Sequence, residues 1–417
     1  MEAGTTHNTR YETISTWVFF FCWGFVFLDR LSISFLLPII QPEMGITNTQ
    51  VGLFGFVTTG AYAVSAIIFG ALADRSGFRK RWLIIFMLIT GVSTGACALT
   101  QTFGQLLVVR GIVGLGEGPL WALMSSMLIR SSRSNTFGRN AGIVNCGVGL
   151  IAVTLGPILV TQLVAYVSWQ LTFLLSSLPT FLMVAVVWKL IEEIKVESGS
   201  DFQNEELQKT SRFGTLFANK NIMVCVLISI FSMVGYWTLS LYAPLYLVNV
   251  AGLSVQQMGF VSAVMGILYI VYSFLVPKLS DNFGRKPALI FFYFLCIMAP
   301  LAMAIFPGSM IAVYVYMIFG GVPGAMTPVV ASVIPLETVA DNLRATAQGL
   351  VNGVGEVLGG SLGPVLVGKV ADVYGLYLTM GIGAAAFVID LTLSCFLQES
   401  NQYVIEKKAK AKSSAAA

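Results

Sequence analysis

The sequence predicts an all-α membrane protein of twelve transmembrane helices, arranged as two pseudo-symmetric six-helix bundles. Three observations predict it. Of 417 residues, 56% are hydrophobic and only 11% charged, where a soluble domain carries about 25% charged residues. The chain cannot clothe its surface in polar groups, so lipid must be its solvent. Next, about twenty mostly apolar residues suffice to cross a bilayer as a helix, and the chain holds twelve such runs. Finally, the two halves repeat one another at a constant offset of 207 positions.

The first six runs cover residues 14–38, 50–73, 82–100, 104–128, 138–165 and 170–190. A polar stretch follows from Ile191 to Asn221, and its core EEIKVESGSDFQNEELQKTSR has no apolar face. It reads as a linker. The second six runs cover 221–248, 255–277, 287–306, 309–334, 345–371 and 376–397, before a lysine-rich tail. The expected organisation is a first bundle over 1–190, a cytoplasmic linker over 191–220, a second bundle over 221–400 and a cytoplasmic tail over 401–417. The first run is longer than a signal-peptide core, with no small-residue cleavage site after it, so it is expected to remain as a span.

Loop charge predicts orientation. Basic residues gather in DRSGFRKR after the second run, at Arg130, Arg133 and Arg139 after the fourth, at Lys278, Arg285 and Lys286 after the eighth, at Arg344 after the tenth, and at Lys407, Lys408, Lys410 and Lys412 in the tail. The alternate loops QPEMGITN, TQTFG and FPGS hold none. The positive-inside rule therefore places both termini in the cytoplasm.

The repeat is specific. Gln50 and Gly52 recur as Gln257 and Gly259, Tyr62 as Tyr269, LADRSG as LSDNFG, Gly114 as Gly321, Asn145 as Asn352, and Gly156-Pro157 as Gly363-Pro364. Six runs per half make equivalent helices parallel, the arrangement of transporters with an axis along the membrane normal.

Several function classes fall away. The six cysteines form no CxxC, and the one histidine, His7, lies in the polar N-terminal tail. Neither a metal site nor a disulfide framework is suggested. A net charge of +4 makes no case for nucleic acid. No nucleophile–base constellation or phosphate loop points to an enzyme, and no organic cofactor is expected.

GALADRSGFRKR (70–81) joins the second and third runs. Small Gly70 is expected to allow close helix approach, and Asp74 to cap or pair with a helix end. Arg75, Gly77, Arg79, Lys80 and Arg81 complete the loop. PKLSDNFGRKP (277–287), with Asp281, Gly284 and Arg285, echoes it, which argues for a shared structural or gating role. The pattern resembles the signature loop of the major facilitator superfamily. That resemblance implies the major facilitator fold and secondary transport by alternating access, without naming a substrate.

The charges inside the apolar runs are few: Asp29 and Arg30, Arg110 and Glu117, Glu356, and Asp390. Each costs about 3 kcal/mol at a helix centre, so a partner, a cavity or a function must offset it. Arg110 and Glu117 are two helical turns apart on one face, about 10 Å along the axis. Two readings stand. They tie the fourth helix to the first, or they belong to a cavity with cations for an anion and carboxylates for protons. LDRLSIS together with R-x-x-x-G-x-x-E-G resembles the anion:cation symporter family, which includes bacterial sugar-acid transporters. The resemblance implies that Asp29 and Glu117 take protons while Arg30 and Arg110 hold a substrate carboxylate. Arginine suits that role, since its fork grips a carboxylate bidentately. Adjacent residues on a helix point about 100° apart, so Asp29 and Arg30 should serve different neighbours.

Other candidates follow. Tyr62 either donates to substrate or packs. Tyr236 and Trp237, the repeat counterparts of Asp29 and Arg30, are expected to shape the substrate site with Tyr242. Asn145 and Asn352 line the cavity or bond across helices. Glu356, with no acidic counterpart, is a candidate third titrating group or substrate contact. Asp390 reads as structural or water-facing. The expected function is proton-coupled uptake of a small organic anion, a carboxylate such as a sugar acid or aromatic acid, by a monomeric multi-pass protein of the inner or plasma membrane. The alternative is a proton-coupled drug or metabolite efflux antiporter, which would favour hydrophobic cationic substrates.

Overall fold

A chain that crosses lipid must satisfy its backbone hydrogen bonds within each segment, and a helix does so. The computed structural model describes residues 9–133, 136–193, 215–340, 343–401 and 403–406, and is almost wholly helical. The side chains of Ala71, Asp74, Arg75 and Ala345 lie outside the described residues, as do most of the expected linker, the tail lysines and His7. Among the described residues, twelve helices are long and apolar enough to span a membrane. In chain order they are α1 (Thr9–Met44), α2 (Asn48–Gly70, its helix running on to Ser76), α3 (Arg79–Leu99), α4 (Phe103–Ser131), α5 (Phe137–Tyr166), α6 (Trp169–Leu190), α7 (Lys220–Asn249), α8 (Val255–Phe283), α9 (Arg285–Ile305), α10 (Met310–Thr338), α11 (Thr346–Tyr374) and α12 (Leu376–Phe396).

Each predicted run is present, and most are longer than predicted. α1 starts at Thr9 rather than near Ile14 and passes through Pro38 and Pro42 to Met44. Polar end turns keep helical geometry without being apolar, so composition alone trims them.

The chain forms two compact units. The first holds α1, α3–α6, α2 from residue 56 onward, and residues 254–267 at the start of α8. The second holds α7, α9–α12, the rest of α8, and residues 47–55 at the start of α2. In the first unit α1 packs against α5 and α6, and α3 against α4 and α6. In the second unit α7 packs against α11 and α12, and α9 against α10 and α12. The packing repeats as the sequence does.

The repeat reaches into backbone geometry. α5 opens into a π-helical stretch over Val148–Leu155, and α11 does so over Gly355–Leu362, at the same 207-residue offset. Each stretch ends at the repeated Gly-Pro. Proline supplies no N–H to the ladder, and a π-bulge absorbs such a register change.

The loops are tied in the same repeated way. The Glu193 carboxylate accepts from the backbone N–H groups of Lys80 (2.9 Å) and Arg81 (3.2 Å) at the start of α3. Glu399 accepts from those of Arg285 (2.8 Å) and Lys286 (3.3 Å) at the start of α9. A carboxylate at a helix N-terminus meets both orphan donors and the positive end of the dipole. These two glutamates, not singled out in the sequence, perform the capping expected of the signature loop. Gly77 and Gly284 take φ of +72° and +105°, conformations that side chains resist. Gly70 departs from expectation. A Cβ there would meet nothing within 4 Å, so its small size serves no close helix contact in this conformation.

Candidate functional site

The site in the first unit forms where α4 is pressed against α2. A Cβ on Gly114 would sit 2.1 Å from the Thr58 carbonyl oxygen, and one on Gly118 2.5 Å from that of Tyr62. Only glycine permits this approach, and it brings the α4 charges beside α1 and α2. Just past Glu117, α4 breaks between its helical segments Phe103–Glu117 and Leu120–Ser131. Pro119 cannot donate to the Leu115 carbonyl one turn back. The Ser65 hydroxyl of α2 donates to that oxygen instead, at 2.5 Å.

Four charged side chains meet here, each at most 6% exposed. Arg110 donates through Nη1 to the backbone oxygen of Asp29 (3.1 Å) and through Nη2 to that of Arg30 (2.7 Å). Its fork grips two consecutive carbonyls of the α1 main chain. Arg30 stands 3.7 Å from the Glu117 carboxylate, donates to the Thr59 hydroxyl at 3.3 Å, and lies over the Tyr62 ring, 5.0 Å from its centroid. Neither Glu117 oxygen accepts a hydrogen bond. Asp29 is bonded to a different helix. Its Oδ2 accepts from the Thr180 hydroxyl of α6 at 2.7 Å, and its Oδ1 has no hydrogen-bond partner. Asp29 and Arg30 thus serve different neighbours, as their 100° separation requires. The unit gathers two arginines and two carboxyl groups in a buried place, where charge interactions are stronger than in water.

In the second unit, Tyr236 and Trp237 pack edge to face at 5.4 Å. The Trp237 indole N–H donates to Glu356 at 3.4 Å, which brings three predicted residues together. Tyr242 stands apart: it is fully buried, and its hydroxyl donates to the Pro364 carbonyl at 2.7 Å. Asn352 is exposed, and the Asn145 amide donates to Ala141 within its own helix. Asp390 is fully buried. Its Oδ2 accepts from Ser232 at 2.8 Å, Ser232 lies 2.7 Å from the Tyr293 hydroxyl, and Oδ1 has no partner. Its expected water-facing alternative is therefore excluded, because α7 and α9 cover it. In the echoed loop, Arg285 is held by Asp281 at 2.6 Å and by both Glu337 oxygens at 2.7 and 3.1 Å. Of the first loop, Asp74 and Arg75 lie outside the described side chains, and Arg79 opens α3.

Thr59, Thr180, Ser65, Ser232 and Tyr293 escaped the sequence reading. Serine and threonine are frequent in membrane helices, and only the folded geometry shows which hydroxyl meets a carboxylate.

The sequence profile of the Major Facilitator Superfamily matches residues 19–364. A putative metabolite transport protein of Haemophilus influenzae is 26% identical over 88% of this chain and 91% of its own length. The hexuronate transporter of Bacillus subtilis is 27% identical over 86% and 88%, and the sialic acid transporter NanX of Escherichia coli is 25% identical over 93% and 92%. Among solved structures, an inward-facing bacterial homologue of the lysosomal transporter Spinster superposes with a TM-score of 0.77, at 17% identity, over 93% of this chain and 97% of that one.

Proposed function

Because the chain belongs to the major facilitator superfamily, whose members it matches as multi-pass membrane transporters rather than enzymes, we propose that it takes up a small organic carboxylate together with protons. The observation that carries this reading is the buried set in the first unit: the Arg30 guanidinium beside Glu117 at 3.7 Å, with Asp29 buried next to them and bonded to α6. Relatives described as hexuronate and sialic acid transporters support a carboxylate as the cargo. Arg30 is the anion ligand in this reading, and Arg110 holds the α1 backbone that carries it. Glu117 competes with the substrate for Arg30. Protonating Glu117 removes that competitor and frees the guanidinium to receive the substrate carboxylate bidentately. Losing the proton on the other side of the membrane restores the Arg30–Glu117 pair and expels the anion. Asp29 carries the second titrating position. The basic loops support a cytoplasmic position for both termini, and in this reading the protein works as a monomer in the cell membrane.

Uptake into proteoliposomes under an imposed pH gradient tests the reading, with labelled sugar acids, aromatic acids and dicarboxylates as the panel. One class should accumulate uphill, and Arg30→Gln should abolish its uptake. Full uphill uptake by Asp29→Asn and Glu117→Gln would overturn proton coupling through these residues. Accumulation of hydrophobic cations in place of acids would overturn the substrate class.

A further inference from the structure

Asp29 is held by an unusual arrangement for a buried carboxylate beside two arginines. The Arg110 guanidinium is directed to the carbonyl oxygen of Asp29, not to its carboxylate. The hydrogen bond that fixes the carboxylate comes from α6, where the Thr180 hydroxyl donates to Oδ2 at 2.7 Å. Both side chains are fully buried. Oδ1, on the other side of the group, has no partner. Resting on the reading of Asp29 as a proton carrier, we propose that Thr180 is the positioning residue of that site: it pins Oδ2 and leaves Oδ1 as the oxygen that accepts the proton.

The chemistry favours a hydroxyl for this task. Thr180 can donate to Oδ2 whether Oδ1 is bare or protonated, so the side chain keeps one orientation through the cycle. The bond is stronger to the charged form, about 1.5–3 kcal/mol against about 1 for a neutral pair. A conformational change that drew α6 from α1 would therefore release the bond and favour proton uptake, so the α1–α6 packing sets the proton affinity of the site. The other groups facing Asp29 are Arg110 and Glu117 from α4 and Cys97 at the end of α3, with Arg30 following it in α1. Among the described residues, α2 and α5 bring no charged side chain against it.

The second unit joins the equivalent helix pair in the same way with the roles exchanged, Ser232 of α7 donating to Asp390 of α12. Among the described residues, no charged side chain stands to Asp390 as Arg110 and Glu117 stand to Asp29, which marks the first unit's version as the one elaborated with charge.

The test follows the proton alone and needs no substrate. Infrared spectra of the full-length protein in lipid are recorded across pH, and the protonated-carboxyl band lost in Asp29→Asn is assigned to Asp29. In Thr180→Val, which keeps the shape and removes the donor, the midpoint of that band should move upward by about half to one pH unit. Thr180→Ser should leave it in place. Thr172→Val removes a buried α6 hydroxyl whose recorded bond is to its own helix and should also leave it in place. If Thr180→Val does not fold, Thr180→Ala takes its role. An unmoved midpoint in a folded donor-less variant, or a shifted one in Thr180→Ser, overturns the proposal. If Asp29→Asn removes no band, the reading of Asp29 as a proton carrier fails instead.

Discussion

Arg110 is the residue whose place most changes the expected division of labour, and its substitution by lysine separates the two roles assigned to it. The guanidinium is 1% exposed and makes two bonds to consecutive α1 carbonyls, at 3.1 and 2.7 Å. A lysine keeps the charge but is a point donor without the fork, so it retains one of the two. Hydrogen bonds from a charged donor contribute about 1.5–3 kcal/mol each, which sets the expected loss. With about 2–4 °C of melting temperature per kcal/mol for a unit of this size, Arg110→Lys should melt roughly 3–12 °C lower in detergent, followed by tryptophan fluorescence. Arg110→Gln also strips a cation from beside two buried carboxylates, for which about 3–5 kcal/mol is a fair scale. In proteoliposomes Arg110→Lys should lower the maximal rate with little change in KM, because the proposed function rests the anion on Arg30. A variant that melts like the parent while its KM rises tenfold or more would refute the reasoning and return Arg110 to the substrate.

Three further outcomes follow from the packing. Gly114→Ala should lower stability by about 1–3 kcal/mol through overpacking, because its Cβ would lie 2.1 Å from the Thr58 oxygen; Gly70→Ala, with open space around it, should melt like the parent. Glu399→Gln keeps one acceptor for two N–H groups at the start of α9 and should cost about 1 kcal/mol, read as a lower melting temperature. Asp390→Asn keeps an acceptor for Ser232, so it should melt within a few degrees of the parent and leave the pH dependence of uptake unchanged; a changed pH profile would assign Asp390 to coupling.

Much of the fold was legible because its determinants are local or periodic. A helix in lipid declares itself by a run of apolar residues, and a duplicated half declares itself by residues at a fixed offset. The charges of the site were legible for a different reason: a charge in an apolar run is expensive, so Asp29, Arg30, Arg110 and Glu117 stood out before any geometry was known. Their partners did not. Whether Arg110 faces a carboxylate, a substrate or a carbonyl depends on how α4 sits against α1, and that depends on the Gly114–Thr58 approach. Thr180 is 151 residues from Asp29 in sequence, and nothing in LPTFL distinguishes its hydroxyl from the others of α6. Glu193 and Glu399 were hidden for the same reason, since each lies beyond the end of one helix and acts on the start of another.

The repeat sharpens what the charges are for. Both units keep the same helix pairs, the same π-helical stretch before Gly-Pro and the same glutamate over the third helix. Features shared by both halves belong to the scaffold, because a duplicated scaffold needs them twice. What differs is then the functional remainder. In the first unit it is Asp29, Arg30, Arg110 and Glu117; in the second it is Tyr236 and Trp237, at the positions that match Asp29 and Arg30, together with Glu356, whose counterpart in the first unit is Gly149. A site of pure packing would not require one half to offset the cost of four buried charges while the other manages with aromatics. The asymmetry fits a polar, ionic grip in the first unit and an aromatic, hydrogen-bonding surface in the second. Exchanging Trp237 for Phe removes the indole N–H from Glu356 while keeping the ring. It should therefore change which organic acids are accepted without changing the pH dependence of their uptake, whereas Glu117→Gln should change the pH dependence for every acid. The reverse pattern in the same uptake panel would show that ion handling and substrate choice are not divided between the units in this way.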